Sequence, residues 1–426
     1  MAAMIQNFIH AQSSSATRVI AQALVAGANA LVAFVTIGAF GSAVFGGYAF
    51  YLILAILLRN LMIAVFVEPA TAISAELEPH ARRKYFTTLS IAFIAILLLS
   101  ALPLAAALGP LANLFLTKPE SASTALATLL ITSNLFLEVQ RAALQAFAAP
   151  LRILAYDSVR TVLSILALLV CVKMAPDLAS FSKLNLLMLG QSLACLVVAI
   201  PYTLLCLSKA HWGRFRSAGI RRHRQAAKLT TPITVLRTLQ LNTPIFWAQY
   251  LLGEEVVGVV RALQNLANLI AIPVRALRLR IMTLGSARHL AADEHALSRF
   301  ILSATLKMTA LATSLGLCVF GFAKIWPNTV SISGDQPEMT ILLLYIAFNI
   351  TVAASTTVNA YFYAGKQLGI LFSRFSVCLV MANVLAPLLA LQLGGVALPL
   401  TQLIVALFGF SLSMSALLWK TKRNDR

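Results

Sequence analysis

Twelve apolar stretches, each about 20 residues or longer and carrying few charges, fill this chain almost from end to end. That pattern constrains the fold more than any motif. Hydrophobic residues make up 60% of the chain and charged residues only 11%, against about 25% charged in a soluble domain. Inside a bilayer every backbone polar group must be satisfied within the protein, which leaves helices and closed barrels. The runs are continuous and lack two-residue alternation, so they are helices. A soluble helical protein is excluded because too little polar sequence remains to cover its surface.

The expected spans are 18–40, 46–74, 86–115, 122–148, 151–172 and 184–208, then 229–252, 256–280, 298–325, 338–363, 367–391 and 396–419. A basic linker at 209–228 divides an N-lobe, 1–208, from a C-lobe, 229–426. The expected fold class is an all-α polytopic membrane protein of twelve helices in two six-helix lobes. The lobes are related by a pseudo-two-fold axis along the membrane normal and form a V around a central cavity. Residues 1–17 are polar and Ser-rich with no small-residue cleavage site, so the first helix is expected to be retained. Cys171, Cys195, Cys206, Cys318 and Cys378 fall in or near apolar segments without CxxC spacing and read as free thiols.

The net charge of +19 is distributed unevenly over the loops. One side carries 23 basic residues, including Arg82, Arg83 and Lys84, the 209–228 segment, Arg374 and the C-terminal tail. The other carries four, Lys118, Lys173, Lys183 and Lys324, together with six acids. The positive-inside rule then places both termini in the cytoplasm, in agreement with an even helix count. The basic linker suits anionic membrane lipid better than nucleic acid, and no nucleic-acid partner is expected.

Two short phrases repeat. Gly41-Ser-Ala-Val-Phe-Gly46 follows the first helix and Gly253-Glu-Glu-Val-Val-Gly258 follows the seventh, offset by 212 residues, half the chain. Two glycines five apart suit a tight turn that re-enters as a helix. The second copy, Leu252-Gly253-Glu254-Glu255-Val256-Val257-Gly258 with Ala262-Leu263-Gln264-Asn265-Leu266-Ala267-Asn268 behind it, resembles the lipid-linked oligosaccharide flippases of polysaccharide biosynthesis. These belong to the multidrug/oligosaccharidyl-lipid/polysaccharide (MOP) exporter superfamily. The first copy departs, with Phe40 for Leu and no acid. The resemblance implies an alternating-access transporter of a bacterial inner membrane. It would move an undecaprenyl-pyrophosphate-linked sugar chain outward, with glycosyltransferase and polymerase machinery as partners.

Nine ionisable residues lie inside the spans: Arg59, Arg141, Arg160, Arg237, Arg261 and Lys307 against Glu68, Glu138 and Asp157. A charge at mid-bilayer costs at least about 2.5–3.5 kcal/mol, so each needs a partner or a wet cavity. The excess of arginine favours an anion, because the planar guanidinium matches phosphate oxygens. Arg59, Arg141, Arg160, Arg237 and Arg261 are therefore candidate substrate ligands. Glu68, Glu138 and Asp157 are candidates for a coupling H+ or Na+. Folding the fourth and fifth helices about Ala149-Pro150 brings Arg141 to the depth of Asp157 and Glu138 to that of Arg160, so the four can also neutralise one another as a clamp. Arg59 has no acid in its own helix nearer than Glu68 and must meet water, another helix or an anion. Lys307 is shallow enough to reach the headgroups. Glu68 precedes Pro69, and a proline inside a helix frees a carbonyl and marks a kink.

No cofactor and no metal site are expected, because the histidines lie in the tail and loops and no enzyme motif occurs. Three alternatives accompany the flippase reading. A cation-coupled multidrug exporter of the same superfamily would be expected to have an acidic cavity. A peptidoglycan-precursor flippase commonly has two more helices at its C-terminus. A membrane-bound glycosyltransferase or polymerase would need a larger outer loop than 326–337.

Overall fold

A computed structural model describes residues 2–74, 78–116, 123–147, 150–174, 180–208, 217–272, 281, 294–325, 337–364 and 367–424. All secondary structure among the described residues is helical. In chain order α1 is Ala2–Phe40. α2 is Ser42–Met62, continued by a π-helical turn, Ile63–Val67, and a last segment, Glu68–Ser74. Then come α3 (Pro79–Phe115), α4 (Thr124–Phe147), α5 (Pro150–Met174) and α6 (Ser180–Ser208). The long helix Ser217–Ala267 is broken at Gly253 into α7 (217–252) and α8 (254–267), and a 3-10 turn, Asn268–Ala271, follows. The last four are α9 (Glu294–Ile325), α10 (Pro337–Ala364), α11 (Leu368–Leu393) and α12 (Ala397–Asn424).

These twelve rods are the expected ones, with shifted ends. α1 begins at Ala2 rather than near 18, and α3 begins at Pro79 rather than near 86. α7 begins at Ser217, so residues 217–228 of the expected linker are helical; its arginines, lysine and alanines are good helix formers, and the one poor former, Gly219, sits in the first turn. Residues 209–216, 273–280 and the loop 326–336 lie outside the described residues. Long apolar segments such as Thr88–Phe115 and Glu338–Tyr363 are long enough to cross a bilayer, and Leu98, Leu99 and Leu102 on α3 are exposed as a lipid-facing surface requires. The chain is a multi-pass membrane protein.

The two largest apolar cores among the described residues lie one in each half. One is built on Phe45, Phe50, Leu130, Ile131, Leu187 and Met188. The other is built on Leu263, Leu342, Tyr345, Val358 and Phe362. Each takes one buried residue from the other half: Ala262 of α8 enters the first and Ile53 of α2 the second. α2 and α8 thus each bury a residue in the core of the other lobe.

The repeated glycine phrase makes that junction. Gly41 and Gly253 hold φ of 92° and 82° with extended ψ, a backbone region open essentially to glycine alone. The second glycine of each phrase permits backbone contact. A methyl group on Gly46 would collide with the carbonyl of Glu254, and one on Gly258 with the carbonyl of Ser42. Adding the 212-residue offset to Ser42 gives Glu254, and adding it to Gly46 gives Gly258, so each contact is the image of the other. A two-fold relation between the repeats requires that reciprocity.

The lobes meet again at the opposite end of α2, where Pro69 has no N–H to give. The carbonyls it would have served in α or π geometry, those of Val65 and Ala64, are taken by α7. His223 Nε2 donates to Val65 O at 2.8 Å and Thr230 Oγ1 to Ala64 O at 3.3 Å. The buried Tyr85 hydroxyl of α3 meets His223 Nδ1 at 2.6 Å. With Nε2 donating, Nδ1 accepts, so this clasp uses the neutral imidazole. Burial pushes the His223 pKa below its usual value, although the Val65 carbonyl pulls the other way.

A candidate site: the arginine-walled cavity

A cavity of about 200 Å³ opens among α1, α2, α4, α5 and α6 and is closed on one side by α8. Its charged lining is Arg59, Glu138, Arg141, Arg160 and Arg261, four guanidinium groups against one carboxylate. Polar neutral groups complete it, among them Gln22, Asn29, Asn134, Ser164 and Gln191.

The α4–α5 hairpin positions most of the charge. Arg141 holds Asp157 through two bonds, Nε to Oδ1 at 2.7 Å and Nη2 to Oδ2 at 2.8 Å. The Asp157 side chain is fully buried and both its oxygens are engaged. Arg160 donates to Glu138 Oε1. The depth matching read from the sequence therefore appears as two ion pairs. They differ in kind, because Glu138 is shared: Arg59 Nη1 stands 3.8 Å from its other oxygen. Arg59 is not alone, as its own helix suggested, but its partner is distant and 30% of its side chain remains exposed in the cavity. Its Nε and Nη2 donate to Asn60 Oδ1 at 3.2 Å, and Asn60 Nδ2 donates to Thr238 Oγ1 of α7 at 3.3 Å.

The C-terminal half contributes Arg261 and Asn265, one turn apart on α8. Arg261 donates to Gln264 Oε1. The remaining candidates lie elsewhere. Arg237 is half-buried on α7 and is not among the residues lining this cavity. Glu68 begins the last segment of α2, where Thr234 Oγ1 donates to it at 3.4 Å, and it does not line the cavity either. Lys307 is exposed. Cys171, Cys195, Cys318 and Cys378 are free thiols.

One basic residue changes category. Arg374, counted above with a loop, is buried within α11 at 6% exposure. It donates to Asn359 Oδ1 and, at 2.7 Å, to Ser355 Oγ, both on α10, and its guanidinium lies 5.0 Å from the Phe375 ring. The loop between α10 and α11 is shorter than the charge pattern suggested, which draws this arginine into the lobe. The cavity's amides and hydroxyls were also missed. A lone Asn or Gln in an apolar run carries little signal, and only the packing of α1, α4 and α6 brings Asn29, Asn134 and Gln191 to one space.

No family model and no curated protein sequence matches the chain. Its fold, by contrast, matches solved structures over nearly its whole length. A multidrug resistance MATE family transporter of the MOP superfamily in an outward-facing conformation is similar at 15% identity, with 96% of each chain covered and a TM-score of 0.63. An inward-facing conformation of such a transporter is similar at 14%, with 96% of each chain covered and a TM-score of 0.62. A MOP superfamily transporter from Pyrococcus furiosus, whose binding pocket of reverse polarity suggests a different function, is similar at 14%, with 95% of each chain covered and a TM-score of 0.63. The chain shares the overall fold of these solved transporters.

Proposed function

We propose that this protein is an alternating-access transporter that flips an anionic, undecaprenyl-pyrophosphate-linked oligosaccharide from the inner to the outer leaflet of a bacterial inner membrane, with both termini cytoplasmic. The observation that carries the reading is the charge of the cavity wall, four arginines against one glutamate. Three of the arginines come from the N-terminal half and Arg261 from the other, so an anion between them is held by both lobes. Arg59 is the most available of the N-terminal three, with a partner at 3.8 Å and a side chain open to the cavity. At about 200 Å³ the space suits a pyrophosphate and is too small for the sugar chain, which would trail outside it. Glu138 is the candidate site of a coupling proton or Na+. It alone of the three acids faces the cavity, whereas Asp157 is consumed by Arg141.

Arg59→Ala should weaken binding of inorganic pyrophosphate to the purified protein about 10- to 100-fold, the worth of a hydrogen bond to a charged group. Arg59→Lys should restore only part, because lysine lacks the planar fork. Unchanged binding in Arg59→Ala defeats the reading. A second reading, a cation-coupled multidrug exporter, is favoured by the MATE proteins among the structural neighbours. It predicts that tetraphenylphosphonium binds and pyrophosphate does not.

A further inference from the structure

A chain of buried side-chain amides runs from the cavity into the C-terminal lobe. Arg261 donates to Gln264 Oε1, Gln264 Nε2 donates to Gln402 Oε1 at 3.4 Å, and Gln402 Nε2 donates to Leu241 O at 2.7 Å. Gln264 and Gln402 are 6% and 4% exposed. Three helices are linked in this way, α8 to α12 and α12 to α7, and the chain ends on the main chain of α7 at Leu241.

The two ends of this chain dictate its polarity. A backbone carbonyl only accepts, so Gln402 must turn its NH2 toward Leu241 and its oxygen toward Gln264. A guanidinium only donates, so Gln264 must turn its oxygen toward Arg261 and its NH2 toward Gln402. Neither amide can flip without setting like groups face to face. We infer that Gln264 and Gln402 are positioning residues for anion binding: the Leu241 carbonyl, relayed through Gln402, fixes the Gln264 amide in the orientation that holds Arg261 toward the cavity. The inference rests on the pyrophosphate reading of the cavity, and adds that Gln402, which does not line it, helps set its affinity. Gln402 also makes that affinity answer to the geometry of α7 and α12.

The test is a double-mutant cycle on the full-length protein in detergent, with inorganic pyrophosphate as the probe. Methionine approximates the shape of glutamine without its hydrogen bonds. Gln402→Met and Gln264→Met should each weaken binding about fivefold, the worth of one neutral hydrogen bond. In an Arg261→Ala background neither should weaken it further, because there is no longer a guanidinium to position. An equal loss in both backgrounds would mean the glutamines merely support the fold, and no loss in either single variant would also overturn the relay. If Arg261→Ala alone binds normally while Arg59→Ala does not, the relay fails and the cavity reading survives. If neither arginine variant loses binding, the cavity reading itself has failed.

Discussion

The two lobes contain the same hairpin built with different chemistry. In the N-terminal lobe α4 and α5 are clamped by two acid–base pairs, Arg141 with Asp157 and Arg160 with Glu138. At the matching place in the C-terminal lobe α10 and α11 are joined by Arg374 on Asn359 and Ser355. Ser413 of α12 donates to the same Asn359 oxygen at 3.3 Å. No carboxylate among the described residues pairs with Arg374, and its Nε finds no acceptor among them. The first clamp is neutral as a unit and borders a cavity. The second carries a net charge into a packed lobe and borders Gly409, where a Cβ would stand 2.9 Å from the guanidinium. The difference teaches that buried arginines alone do not mark a binding site. What separates the two clamps is the space beside the N-terminal one, with a carboxylate there shared between two partners.

The largest expected effect comes from breaking the N-terminal clamp. Asp157→Ala leaves Arg141 buried without its bidentate partner and should lower stability by about 3–5 kcal/mol, read as a drop in the unfolding midpoint in detergent. A midpoint close to that of the unaltered protein would mean the pair is dispensable. Arg374→Met should cost much less, about 1 kcal/mol, because it strands only a neutral amide and a hydroxyl. A loss as large as that of Asp157→Ala would erase the distinction between the clamps. Asn359→Asp sharpens it from the other side: supplying the missing carboxylate should raise the midpoint, by about 1 kcal/mol or more, as a charge-assisted bond replaces a neutral one. The smallest effect lies outside both clamps. Because the His223 pKa is lowered by burial, the unfolded clasp binds the proton more readily than the folded one. Stability of the Tyr85–His223–Val65 contact is therefore complete above the ordinary histidine pKa of about 6.5 and falls as the pH drops through it. Hydrogen-exchange protection at residues 217–230, taken relative to the intrinsic exchange rate at each pH, should fall between about pH 7 and pH 5.5, and His223→Gln should remove that change in protection.

Much of this arrangement was legible before any coordinates. Continuous apolar runs give the rods, because lipid leaves the backbone no other choice. The glycine repeat gives the plane of duplication. The α4–α5 pairing follows from depth alone, since a tight hairpin equalises the distance of Arg141 and Asp157 from the turn. What was not legible is lateral. Depth along a helix says nothing about azimuth, so Arg59, Arg237 and Arg261 all stood as candidates, although Arg237 lies outside the cavity that the other two line. Arg374 was misplaced for a related reason. A basic residue near a helix end reads as a headgroup contact, and only the packing of α10, α11 and α12 shows that it turns inward. Residues whose role is to orient another side chain, such as Gln402, leave no mark in periodicity or charge.

The glycine crossing has a mechanical consequence. Where main chain rests on main chain, no side-chain rotamer can take up slack, so the crossing of α2 and α8 behaves as a fulcrum with almost no play. From Gly46 to Glu68 the lever arm is about 33 Å at 1.5 Å per residue. A tilt of about 10° there sweeps the far end of α2 through about 6 Å over that arm. That stroke is larger than the 2.8 Å between the Val65 carbonyl of α2 and His223 Nε2 of α7, so a rotation too small to separate the glycines is enough to part the clasp.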